Sequence, residues 1–196
     1  VVKLQSYPPI WFLRHGQTEW NRAFRLQGQM DSPLTEQGIA EAKAQAALIG
    51  PVLLQSPAVI VSPLGRTRQT ADIVMGGREY ATDPRLMEID AGAWQGRLCE
   101  EIMRESPDLA HTSPTALQIY QAAPDGEGLE RFHNRITAFL EDLTGPTVII
   151  AHGLLGQVLR AQVCGLSLDA AGHLPNLQGC IYHLERGQEH ILAGAT

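Results

Sequence analysis

Pro8-Pro9-Ile10-Trp11-Phe12-Leu13-Arg14-His15-Gly16 is the stretch on which the reading of the fold turns. Two prolines open it, Gly16 closes it, and the apolar run between them has the pattern of a strand buried on both faces, as in parallel sheets. Ala58-Val59-Ile60-Val61 before Ser62-Pro63 repeats the pattern, as does Thr147-Val148-Ile149-Ile150-Ala151 after Gly145-Pro146, with Gly153 following. Three buried strands are predicted.

Helical stretches lie between them. Ile39, Ala42, Ala46 and Ile49 recur at steps of three and four, with Glu41, Lys43 and Gln45 on the opposite face, and Pro51 helps end that helix. A second helix is expected after Ser62-Pro63-Leu64, a third from Leu129 to Leu143, and a fourth from after Gly153 to near Gly165. This alternation predicts an α/β fold, a three-layer α/β/α sandwich with a mainly parallel central sheet. Ile181-Tyr182-His183-Leu184 and His190-Ile191-Leu192, separated by Arg186-Gly187-Gln188, read as a closing hairpin that gives the sheet an antiparallel edge. The stretch from Cys99 to Gly128 has weaker periodicity and carries Pro107, Pro114 and Pro124. It is read as an insertion at about 99–128 over the active edge of one domain spanning 1–196.

Composition narrows the functional classes. With 196 residues, 44% apolar and 18% charged, the chain has the make-up of a globular domain with no disordered or fibrous character. A formal net charge of -6 argues against nucleic acid as a partner, and no apolar run is long enough for a membrane span. Only Lys3 and Lys43 are lysines; the other positive charges are arginines, whose planar fork suits phosphate and carboxylate groups. Cys99, Cys164 and Cys180 form neither a disulfide framework nor a zinc motif, so a cytoplasmic setting is expected. Val1 to Pro9 does not read as a signal peptide, and the absence of an initial Met points to a trimmed or truncated start.

Phe12-Leu13-Arg14-His15-Gly16 and Ile149-Ile150-Ala151-His152-Gly153 end alike, each placing a histidine where a strand leaves the sheet. Ligands of open α/β sheets sit beyond the carboxyl ends of the strands, so parallel neighbours would turn both imidazoles to one pocket. Gly after each His permits a sharp turn and close backbone approach to an anion. The ordered set is Arg14-His15-Gly16-Gln17-Thr18-Glu19-Trp20-Asn21, Ser62-Pro63-Leu64-Gly65-Arg66-Thr67-Arg68-Gln69-Thr70, Leu86-Met87-Glu88-Ile89 and His152-Gly153. It resembles the histidine phosphatase superfamily, in its phosphoglycerate mutase-like branch. The stretches Gln27 to Gly38 and Gly92 to Gly96 extend the likeness over nearly the whole chain.

The resemblance implies that His15 is the residue phosphorylated and that Arg14, Arg66 and His152 complete the phosphate pocket. Asn21, Gln27, Gly28, Gly153 and Glu127 are expected to bind substrate. Glu127 stands in Gly126-Glu127-Gly128, where the family often has Gly-Glu-Ser. Elementary chemistry agrees with these roles. A histidine nucleophile must be neutral, which neighbouring Arg14 and Arg66 favour, and a hydrogen bond from its other ring nitrogen to a carbonyl would fix the tautomer. Glu88 is the expected general acid and base, its carboxyl raised beside a phosphate dianion. Forked guanidiniums neutralise the phosphoryl oxygens, so neither metal nor cofactor is called for.

Arg22 and Arg25 follow the first motif in a loop and are read as either solvated or in reach of a substrate's distal anionic group, Arg68 as a surface or structural salt-bridge group, and His111, His133, His173, His183 and His190 as structural or solvated. The expected activity is hydrolysis of small-molecule phosphate monoesters. A phosphoglycerate mutase-type phosphomutase is the first alternative, but such mutases carry extra basic residues in the insertion, where this chain has only Arg104. A catalytically silent phosphate-binding scaffold is the second. The substrate is left unnamed, and a homodimer is left open.

Overall fold

The computed structural model describes residues 7–194; the reading of the extreme amino terminus lies outside them. Strands β1 (Ile10–Arg14), β2 (Ala58–Val61), β3 (Ala81–Thr82), β4 (Thr147–Ala151), β5 (Ile181–Glu185) and β6 (Gln188–Leu192) form one sheet in the order β3-β2-β4-β1-β5-β6. The pairings β3-β2, β2-β4 and β4-β1 are parallel, while β1-β5 and β5-β6 are antiparallel. The mainly parallel sheet with an antiparallel edge is therefore observed. Arg186 and Gly187 turn the closing hairpin with φ of 53° and 74°, the left-handed pair that a two-residue hairpin loop requires.

Helices α1 (Glu19–Arg22), α2 (Glu36–Leu53), α3 (Gly65–Met75), α4 (Cys99–Glu105), α5 (Pro107–His111), α6 (Ala116–Gln121), α7 (Leu129–Glu141), α8 (Gly153–Val163) and α9 (Leu168–Ala171) cover the sheet. The alternation of side chains along the strands shows how. Ile10 and Phe12 of β1, with Ile149 and Ala151 of β4, pack into one apolar cluster with Phe132, Ile136 and Phe139 of α7 and Leu155, Val158 and Leu159 of α8. Leu13, Val148 and Ile150 point the other way, onto Ala42 and Ile49 of α2 and Ala71, Val74 and Met75 of α3. Two buried faces on one sheet make three layers.

Several details differ from the sequence reading. Gln45, expected on the outer face of its helix with Glu41 and Lys43, is buried and donates to the Arg14 and Cys180 carbonyls at 2.9 and 3.0 Å. The α2 helix runs two residues past Pro51, because the missing N–H removes a single bond in the last turn while Leu53 beyond it is buried in the core. The β2 strand is buried only at its end, Val61, since its outer neighbour is the two-residue β3, which went unread for its brevity. The stretch read as an insertion is largely helical, holding α4, α5 and α6. It is anchored by a third apolar cluster in which Ile102 and Ala123 meet Leu26, Ala91 and Trp94.

Helix α8 lies so close to β1 that a Cβ at Gly156 would stand 2.4 Å from the buried Phe12 ring. Gly156→Ala is expected to destabilise the fold by about 1–3 kcal/mol despite alanine's better helix propensity, because the ring must move in a packed core. Urea denaturation checks this; unchanged or increased stability would contradict the tight α8-β1 packing.

Candidate active site

The register of the sheet sets the site. Arg14 of β1 pairs with Ala151 of β4, and the His15 N–H donates to the Ala151 carbonyl at 3.0 Å, so His15 and His152 leave the sheet side by side. Their rings meet edge to face with centroids 5.4 Å apart. The Ser62 N–H at the end of β2 likewise donates to Ile150, which puts the Ser62 hydroxyl 2.7 Å from His152 Nε2 and starts α3 with Arg66 pointing inward.

Hydrogen-bond partners fix the state of His15. Its Nδ1 lies 2.7 Å from the Gly16 carbonyl, which can only accept, so Nδ1 carries the proton. Arg66 Nε, which can only donate, lies 3.3 Å from His15 Nε2, so Nε2 presents a lone pair. Burial first, then the charges of Arg66 and Arg14, hold the His15 pKa well below 6.5. Burial, Arg66 and the neighbouring His15 do the same for His152. Both imidazoles are neutral at pH 7.

Arg66 is immobilised by its own fork. It donates to the Gly28 and Met30 carbonyls at 2.7 and 2.8 Å and to Asp31 at 2.8 Å, and it is 2% exposed. Arg14 donates from Nη1 to the Asn176 carbonyl at 2.6 Å, while its Nε is buried without a partner, as is His152 Nδ1. Glu88, 6% exposed, rests its carboxylate on the N-terminus of α8, accepting from Leu154 and Leu155 N–H at 3.0 and 2.9 Å. It also accepts from Ile89 N–H at 3.1 Å. Burial raises the Glu88 pKa above 4.5, against the pull of these N–H groups and Arg66.

These groups surround a cavity of about 120 Å³ walled by Arg14, His15, Asn21, Gln27, Arg66, Glu88, Ala116, Tyr120, Gly153, Leu154 and Asn176. It is small beside the roughly 300–1,000 Å³ of pockets that engulf a drug-sized ligand, and suits a tetrahedral anion with part of its substituent. Asn21 accepts the Thr18 N–H with its Oδ1, and Gln27 donates to the Thr18 hydroxyl at 2.7 Å.

Two expected substrate contacts are elsewhere. Gly28 is not on the wall; its carbonyl holds Arg66. Glu127 is not on the wall either. It forms a salt bridge of 2.6 Å with Arg135, because α7 starts right after it and brings Arg135 back to it. His152 packs against His15 without lining the cavity. Gly16 and Gly153 serve close approaches of protein groups: a Cβ at Gly16 would lie 2.2 Å from the Gly38 carbonyl oxygen, and one at Gly153 2.7 Å from Asn176 Nδ2 and 3.1 Å from Arg14 Nε.

The sequence reading names neither Ala116 nor Asn176 as a wall residue, takes Leu154 only as an apolar residue after His152-Gly153, and takes Tyr120 only as one of the insertion's apolar residues that hint at a substrate with nonpolar surface or pack its helices. Tyr120 is the one Phe, Tyr or Trp between Cys99 and Gly128, but nothing in that proline-punctuated stretch says which way it points. Its hydroxyl accepts the Gln27 N–H at 3.1 Å, and burial, with the charge of Glu88, pushes its pKa up to about 12. Arg22 pairs with Glu19 at the surface, Arg25 donates to the Gly96 carbonyl at 2.8 Å, and Arg68 is exposed. Among the described residues no cluster of three or more His, Cys, Asp or Glu is arranged to hold a metal ion. No helix among them is long and apolar enough to cross a membrane.

Residues 10–193 match the histidine phosphatase superfamily (branch 1). A relative from Proteus mirabilis (strain HI4320), described as a probable phosphoglycerate mutase GpmB, is 35% identical over 184 residues, covering 87% of this chain and 81% of the relative. Among solved structures, a putative alpha-ribazole-5'-P phosphatase from Escherichia coli K-12 superposes with a TM-score of 0.80 at 25% identity, covering 96% of this chain and 97% of that one. YhfR from Bacillus stearothermophilus superposes with a TM-score of 0.78 at 30% identity, covering 95% and 96%.

The neutral, buried histidines make stability pH-dependent. Their folded pKa values lie below the unfolded 6.5, so as pH falls below about 6.5 the unfolded chain takes up protons that the folded chain refuses, and stability is lost. His15→Asn should lessen that loss between pH 7 and 5 by up to about 1.4 kcal/mol per pH unit. Urea denaturation of both proteins across this range checks it; parallel pH curves would contradict it.

Proposed function

Because the chain belongs to the histidine phosphatase superfamily, branch 1, we propose that it hydrolyses small-molecule phosphate monoesters through a phosphohistidine on His15. The His15 Nε2 lone pair attacks phosphorus as the ester P–O bond breaks. Glu88, protonated at the start, gives its proton to the departing alkoxide. In the second half the Glu88 carboxylate takes a proton from water, whose oxygen attacks phosphorus, the P–N bond breaks and phosphate leaves. Arg14 and Arg66 neutralise the phosphoryl oxygens. The unpartnered Arg14 Nε, on the cavity wall, gives a further nitrogen for those oxygens, while His152, also unpartnered at Nδ1 but off the wall, takes its phosphate-pocket role from the family resemblance and its contact with His15.

One observation carries the choice of hydrolysis over phosphoryl return. Apart from Arg14 and Arg66, the wall is built of Asn21, Gln27, Ala116, Tyr120, Leu154, Asn176 and other groups without positive charge. A phosphoglycerate mutase must also hold a carboxylate and a second phosphate, and this wall offers no further guanidinium or ammonium for them. The leaving alcohol is therefore read as uncharged, in keeping with the phosphatase activity by which the similar Escherichia coli protein is described. The mutase reading draws on the GpmB relatives, which are described as probable phosphoglycerate mutases. Here Glu127 and Gly28 lie off the cavity wall and support the site through Arg135 and Arg66, and Asn21, Gln27 and Gly153 frame its wall.

The test is release of inorganic phosphate from an aryl phosphate, then from a panel of metabolite monoesters, with a chelator present. His15→Ala should abolish turnover, and denatured protein trapped during turnover should carry acid-labile phosphate only when His15 is present. Isomerisation of phosphoglycerate with little phosphate release would overturn hydrolysis. Glu88→Gln should lower kcat for an alkyl phosphate by about 10²–10⁴, the usual worth of a general acid. It should also flatten the fall of kcat/KM on the alkaline side, where the raised Glu88 carboxyl loses its proton. Retention of that fall in Glu88→Gln would remove Glu88 from the role.

A further inference from the structure

Glu88 is gripped from behind as well as from the front. While α8 holds its carboxylate, its main-chain carbonyl accepts from Arg135 Nη2 at 3.0 Å and from Gln29 Nε2 at 3.3 Å. Arg135 projects from the second turn of α7, where it also donates from Nη1 to the Arg85 carbonyl at 2.5 Å. One guanidinium thus ties down both ends of the segment Arg85 to Glu88.

That guanidinium is itself fixed. Glu127 takes Arg135 Nε on one carboxylate oxygen at 2.6 Å and Nη2 on the other at 3.0 Å, and both side chains are mostly buried, at 18% and 14% exposure. The Arg135 fork also stacks on the Phe132 ring at 4.7 Å. Glu127 reaches past Glu88 as well: its Oε2 accepts the Asp90 N–H at 3.3 Å, and its own N–H donates to the Asp90 carbonyl at 3.0 Å. The pair therefore holds the backbone on either side of Glu88, and neither residue lines the cavity.

We infer that the Glu127-Arg135 pair is a positioning device for the general acid, fixing the Glu88 backbone so that its carboxyl stays within reach of the leaving oxygen. This rests on the proposed role of Glu88. Proton donation demands hydrogen-bond reach, about 2.6–3.2 Å, and a displacement of about 1 Å elsewhere in a site can cost a hundredfold in rate. A bidentate Arg-carboxylate fork fixes distance and orientation together, which a lysine at position 135 would not do.

The experiment compares 4-nitrophenyl phosphate, whose leaving group needs little protonation, with glycerol phosphate, whose alkoxide needs a proton. Arg135→Gln and Glu127→Gln are expected to lower kcat for glycerol phosphate at least about tenfold more than for the aryl ester. KM should be little changed, and Arg135→Lys should recover only part of the loss. Should Arg135→Gln fail to fold by thermal denaturation, Glu127→Gln and Arg135→Lys decide the matter. Glu88→Gln is run alongside. If it discriminates between the two esters while the Arg135 and Glu127 variants slow both equally, the positioning role is overturned and the reading of Glu88 stands. If Glu88→Gln also slows both equally, that reading falls and the inference with it.

Discussion

The parallel pairing of β1 with β4 is the constraint from which the site follows. Side chains alternate along a strand, so a slip of one residue would turn Phe12 and Leu13 to the wrong faces and expose both apolar clusters. Burial on both faces of these strands thus fixes the register without reference to any ligand. With Arg14 opposite Ala151, the two chains leave the sheet at the same level and carry His15 and His152 into contact. The pairing of β2 with β4 does the same for Ser62, and through the start of α3 it places Arg66 against His15.

Gathering two guanidiniums, two imidazoles and a carboxyl in one buried place sets their protonation states. Arg66 has Asp31 as a counter-ion, while Arg14 is held by a carbonyl, and both guanidiniums lie close to the two imidazoles. Burial first, then these charges, disfavour the imidazolium form of both histidines, as a nucleophilic imidazole requires. Glu88 answers to opposite pressures. Burial favours its protonated form, while the N-terminus of α8 and Arg66 favour the anion. A carboxyl balanced in this way can be an acid in one half-reaction and a base in the next.

The legible part of the sequence was the part governed by local pattern. Continuous apolar runs gave β1 and β4, the three-and-four periodicity gave α2, and the echo of the two strand ends pointed to His15 and His152 as neighbours, which they are, although only His15 lines the cavity. Arg186-Gly187 marked the hairpin because left-handed turns restrict composition. What escaped detection depended on tertiary neighbours. The two-residue β3 has no periodicity to read, and Pro51 lies within a helix whose next turn is secured by burial of Leu53. Glu127 carried a motif that pointed to substrate, yet its partner Arg135 stands two turns of helix away and turns it toward the backbone beside Glu88. Tyr120 and Asn176 reach the cavity from segments whose turn and helix signals say nothing of direction.

On the proposed reading, the two halves of a substrate meet different parts of the molecule. The phosphoryl group meets residues fixed by the sheet and by α3 and α8, whose positions leave little room for variation. The leaving alcohol meets Ala116 and Tyr120, which come from α6 in the segment between α4 and α7. The Tyr120 hydroxyl accepts from Gln27 N–H, beside Gly28, whose carbonyl holds Arg66, so α6 is tied to the phosphate-facing groups by one hydrogen bond and the apolar cluster around Trp94. Changes in the length or packing of that segment can therefore alter the room beside the phosphoryl group while β1 and β4 keep their register. Selection among alcohols then rests on the shape of α6, and the chemistry on the sheet.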